Sequence, residues 1–84
     1  MKLKIEISLQ NYDRMLQKCD SSAREYGILV HGSLIQRPSG NYFERLARII
    51  CNTNDAAKLL ALADRICPEA AQEIEQSVDF FRKR

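Results

Sequence analysis

Tyr42-Phe43-Glu44-Arg45-Leu46-Ala47-Arg48-Ile49-Ile50-Cys51 is the segment on which the fold turns, because its side chains suit two periods. As a helix, it gathers Phe43, Leu46, Ala47 and Ile50 on one face, with Glu44, Arg45 and Arg48 on the other. As a strand, it places Arg45 and Ala47 with Phe43 and Ile49, and Glu44 and Arg48 with Leu46 and Ile50, so neither face is clean. The residues upstream favour the helix. Pro38 and Gly40 stop the preceding apolar run, and Asn41 followed by Glu44 reads as a capping box. The spacing therefore predicts a helix over 42–51, while the strand alternative gives a ferredoxin-like βαββα arrangement.

Toward the N-terminus the pattern is simpler. Lys2 to Leu9 alternates, with Leu3, Ile5, Ile7 and Leu9 on one face, which predicts a half-buried strand. Asn11 is a suitable cap for a helix carrying Tyr12, Met15, Leu16, Cys19, Ala23 and Tyr26 at helical spacing, and Gly27 is placed to end it. Asp20-Ser21-Ser22 are poor helix formers and mark a kink or break. Ile28 to Ile35 is β-branched enough for a second strand, with Gly32 marking a bulge or a close backbone approach.

Toward the C-terminus, Asn52-Thr53-Asn54 breaks one helix and caps the next, whose Ala56, Leu59, Leu60, Ala63 and Ile66 share a face. Pro68 suits the first position of a last helix with Ala71, Ile74, Val78 and Phe81 along one stripe. The fold class expected is α+β: strand, helix, strand, then three short helices, in one small domain spanning residues 1–84.

The chain has 84 residues, 45% hydrophobic and 29% charged, with a formal charge of +2, which describes a globular protein without the basic bias of a dedicated nucleic-acid binder. No apolar run reaches the roughly eighteen residues of a membrane helix, and Lys4 and Glu6 interrupt any signal-peptide core. Cys19, Cys51 and Cys67 are odd in number and widely spaced, so they predict reduced thiols and a cytoplasmic protein without membrane association. With His31 they match a Cys3His zinc set in number but not in spacing. No metal site or cofactor is expected.

A catalytic role for His31 with a cysteine or serine needs a base, a nucleophile and an orienting group within reach, and no motif supplies them. Glu69, Glu73, Glu75 and Asp79 read as a solvated acidic face of the last helix. Anion chemistry has one candidate: Arg37, Ser39, Gly40, Asn41, Tyr42, Arg45 and Arg48 combine positive charge with the free N–H groups of a helix start and a stacking ring. The alternative function is thus a binder of an anionic ligand, a nucleotide or a nucleic-acid backbone. The leading expectation is a small non-enzymatic cytosolic regulator or inhibitor that acts by binding another macromolecule, with a protein the expected partner and an enzyme ranked third. Homodimerisation is also expected, since two strands leave open sheet edges, Leu62 leaves the main stripe of its helix, and adjacent Phe80 and Phe81 diverge from each other by roughly 100° on the last one.

Overall fold

Strand β1 (Lys2–Ser8) buries Leu3, Ile5 and Ile7, as its alternation requires. The computed structural model describes residues 2–82, with side chains through residue 78. Two further strands, β2 (Ser33–Ser39) and β3 (Tyr42–Asn52), complete a sheet of order β1-β3-β2, in which β3 is antiparallel to both neighbours. The class is α+β and the chain opens in the expected order of strand, helical stretch and strand, with that stretch in two helices, but residues 42–51 are a strand and not the expected helix.

The register shows why the strand wins. Leu3 faces Cys51, Ile5 faces Ile49 and Ile7 faces Ala47, and all six are buried on one face of the sheet. A helix would leave Ile49 off the apolar stripe of Leu46, Ala47 and Ile50 and leave β1 without this partner strand to satisfy its backbone. The mixed character that blurred the faces comes from Phe43, Glu44 and Arg45, which lie beyond the core and carry no penalty for it. Asn41 caps nothing. It is the second residue of a tight turn in which Gly40 supplies the positive φ of 62°.

Helix α1 (Leu9–Lys18) is capped by Ser8, whose hydroxyl accepts from the Asn11 N–H, so Asn11 sits one turn inside the helix instead of capping it. The segment expected to run to Tyr26 breaks where Asp20-Ser21-Ser22 foretold. Asp20 accepts the Ser22 N–H at 2.9 Å and its hydroxyl at 2.8 Å, and these bonds hold its carboxyl below the usual carboxylate range. Helix α2 (Arg24–Leu29) then contains Gly27 instead of ending at it. The buried Tyr12 hydroxyl donates to the Leu29 carbonyl, which also accepts from the Gly32 N–H. That clamp delays β2 until Ser33.

Gly32 is where the two pieces touch. A Cβ built there would stand 2.9 Å from Tyr12 Cε1 and Oη and 3.0 Å from Cζ, closer than real contacts allow, and burial leaves the ring little room to move. Gly32→Ala is expected to cost about 1–2 kcal/mol by overpacking. Chemical denaturation measures it, and an unchanged midpoint would show that the ring yields freely.

Helix α3 (Thr53–Ile66) starts on Asn52, whose side chain accepts from Asp55 N–H at 2.7 Å, and helix α4 (Pro68–Arg82) starts on Pro68; both starts agree with the sequence reading. Met15, Leu29, Leu59, Leu62, Ala63, Ala70 and Ile74 from helices α1 to α4, with Cys67 between α3 and α4, pack on the buried face of the sheet. Leu62 is therefore a core residue within this chain, only 5% exposed. Phe80 and Phe81 have side chains outside the described residues.

Edge strand β1 is closed by α4. Ser77 Oγ accepts the Glu6 N–H at 3.2 Å and donates to the Glu6 carbonyl at 3.1 Å, and Glu73 accepts the Ser8 N–H at 3.1 Å. These bonds occupy backbone groups that would otherwise offer a template to another strand.

Candidate functional site

The two other strands of the sheet build an arm. Ser39 and Tyr42 close a two-residue turn, Gly40-Asn41, with positive φ at the first position alone, the pattern of a type II′ hairpin. Because β1 ends opposite Leu46, residues 42–45 of β3 have no β1 partner, and the hairpin projects past the sheet as a two-stranded ribbon.

Hydrogen-bond direction along the arm follows from the closed edge. Glu6 turns its N–H and carbonyl to Ser77, so the Glu6–Arg48 pair is a non-bonded pair and Arg48 directs its own groups to β2. By alternation, Ser33, Ile35, Arg37 and Ser39 bond to β3, while Leu34, Gln36 and Pro38 face outward. Pro38 has no N–H to offer. The sole proline of the strand thus occupies an outward position, where it breaks no ladder bond. Among the described residues, no hydrogen bond reaches the backbone of Leu34 or Gln36 from any other element.

The side chains on the arm are unusually apolar for solvent. Leu34 and Phe43 are each 64% exposed on the face continuous with the core, and Tyr42 is 66% exposed on the opposite face; Ile50, 59% exposed on that face, lies away from the arm, opposite Lys4 of β1. Leu9, Leu34, Ile35, Gln36, Arg45 and Leu46 border a groove of about 250 Å³ at its base.

The charged candidates lie mainly on the outer face, already matched. Glu6 accepts from Arg48 at 2.8 and 3.0 Å and from Arg37 at 3.3 Å, and Arg37 reaches on to Glu44 at 3.3 Å. These are cross-strand pairs, which the strand register sets. The adjoining cleft of about 370 Å³ is lined by Glu6, Glu44 and Glu73 with Arg37, Leu46, Gln76 and Ser77, a set with more carboxylates than guanidinium groups.

The proposed anion cluster does not come together. Ser39, Gly40, Asn41 and Tyr42 are the hairpin turn, so no helix N-terminus exists there to present free N–H groups. Arg45 pairs with Gln36 and points from the face opposite to Arg37 and Arg48. Two of the three arginines face carboxylates, which removes the local excess of positive charge.

His31 is exposed in the turn before β2, on a cleft of about 320 Å³ that Cys51 also borders. Among the described residues no hydrogen bond joins His31 to a thiol or hydroxyl. Burial, with Asp55 adding to it, pushes the Cys51 thiol up, the wrong direction for a nucleophile, and burial does the same to Cys19. Cys67, directly before Pro68, is 2% exposed. Among the described residues no group of three or more His, Cys, Asp or Glu side chains is placed to hold a metal ion. No helix among them is long and apolar enough to cross a membrane.

Sequence reasoning passed over Leu34, Gln36 and Phe43, which the structure places exposed on the arm. The signal was the Gly40-Asn41 dipeptide, a hairpin turn type, between two runs able to form strands. No protein-family model matches the chain, and neither curated proteins nor solved structures give a match.

Proposed function

We propose that this chain is a non-enzymatic protein-binding regulator or inhibitor that takes an extended segment of another chain against the outer edge of β2. The observation that carries the reading is one coincidence: Leu34 and Gln36 offer backbone groups on the same arm that exposes Leu34, Tyr42 and Phe43. An added strand gains main-chain hydrogen bonds from such an edge and fixes its side chains on the apolar flanks. In a cell, an edge and patch of this kind left bare invite aggregation, which favours an occupant. The proposed setting is the cytoplasm, in keeping with three free and buried cysteines that serve as core residues.

Photo-crosslinking in cells tests the reading. A photoreactive residue at Phe43 or Leu34 is expected to give discrete protein adducts that the same probe at exposed Lys58, on α3, does not give. Identical adduct patterns from all three positions, or none from the arm, would overturn it.

A further inference from the structure

The free edge of β2 is short and bracketed. Gly32 gives its N–H to the Leu29 carbonyl at one end, and Pro38 lacks an N–H at the other. A complete exchange of ladder bonds is therefore open to Leu34 and Gln36 alone, two residues apart. A second copy running antiparallel, with its Gln36 opposite Leu34 and its Leu34 opposite Gln36, uses both residues of both chains. Either neighbouring register fails. Gln36 opposite Gln36 sets Leu34 against Pro38, and Leu34 opposite Leu34 sets Gln36 against the occupied Gly32.

The favoured register also suits the side chains. Its two-fold axis passes through Ile35, so Ile35 meets Ile35 of the second copy in a close pair, and Ser33 meets Arg37 of the second copy without like charges opposed. The other open stretch of the arm, at Phe43 and Arg45 on β3, fails this same criterion. Symmetric pairing there would centre Glu44 on Glu44 of the second copy, two carboxylates face to face.

We infer that β2 pairs antiparallel with β2 of a second copy about an axis through Ile35, doubling the three-stranded sheet into a continuous six-stranded one. The inference rests on the reading of β2 as the binding edge and names its occupant. Both helical layers then lie on one face of the sheet, with the exposed Leu34 side chains between them. Assembly stops at two copies, because Ser77 and Glu73 already occupy backbone groups on the far edge of each β1.

Light scattering coupled to size exclusion is expected to give twice the 9.7 kDa chain mass. Gln36→Pro removes an outward N–H without touching the β3 ladder, so it should return the mass to that of one chain with an unchanged circular dichroism spectrum. A second variant reads the register. The Ile35 pair places its Cα atoms about 4.5 Å apart, within the range a disulfide spans. Ile35→Cys should therefore oxidise to a covalent dimer at least tenfold faster than Ser33→Cys, and the native thiols, being buried, add little background. A single-chain mass for the unaltered protein, an unaltered dimer in Gln36→Pro, or equal oxidation of the two cysteine variants would overturn the proposal. A single-chain mass together with discrete adducts from Leu34 to a different protein would overturn the second copy as occupant while leaving the binding-edge reading standing.

Discussion

Ile49→Ala is expected to lower the free energy of unfolding by about 3 kcal/mol, while Ile50→Ala, one residue along, should stay within about 0.5 kcal/mol of the parent. The two side chains leave opposite faces of β3. Ile49 is 2% exposed and faces Ile5, which is fully buried, under the helices; Ile50 is 59% exposed beside Lys4. Truncating the first leaves a cavity in the middle of the sheet, and truncating the second removes surface that water already reaches. In a domain of this size, where about 1 kcal/mol moves the melting temperature by roughly 4–8 °C, the difference should be plain in a thermal melt. The helical alternative makes the opposite claim, because it puts Ile50 on the apolar stripe with Phe43, Leu46 and Ala47. A larger loss from Ile50→Ala than from Ile49→Ala would restore the helix and remove the arm.

That pair of isoleucines also marks where the sequence stopped being readable. Segments whose environment is uniform announced themselves: β1 alternates because one whole face is buried, and α3 and α4 carry their cap and first-turn residues, Asn52 and Pro68, at the observed starts. Strand β3 is not uniform. From Ala47 to Cys51 it crosses the core, Leu46 is buried from the opposite face, and from Tyr42 to Arg45 it stands outside, so its alternation is correct for half its length and absent from the rest. A window spanning both halves reads as helical by accident, and the chance spacing of Asn41 and Glu44 strengthens the accident. The same misreading created the anion site, whose helix start existed only if the segment was a helix. Leu62 was misjudged for a related reason. It strays from the main stripe of α3, yet α3 packs against α2, α4 and the sheet, so more than one side of it is buried. The open edge of β2 was legible only through its turn, since which backbone groups face outward depends on register, and register is set by tertiary pairing.

Glu73→Ala is expected to cost about 3 kcal/mol, because it removes a charged acceptor shared by three donors, each such bond being worth about 1.5–3 kcal/mol before relaxation. The carboxylate accepts from Ser8 N–H at 3.1 Å, Ser8 Oγ at 3.2 Å and Asn11 Nδ2 at 2.6 Å. Ser8 is the cap of α1 and the last residue of β1, and among the described residues Asn11 is the one polar side chain buried with the core. A residue 62 positions later in the chain thus fixes the corner at which strand becomes helix. In the alanine variant the Asn11 amide loses its closest acceptor, and the N–H of Ser8 returns to an open strand edge. Both consequences add, since an unpaired buried donor costs more than the bond itself was worth. Glu73→Gln keeps one carbonyl oxygen for one of these donors but brings two N–H groups of its own, so it should recover about half of the loss. Urea unfolding of both variants measures this, with the slope against denaturant showing that the native state is otherwise retained. A loss below about 1 kcal/mol in Glu73→Ala would mean that solvent replaces the carboxylate at this corner and that α4 holds β1 by apolar packing alone.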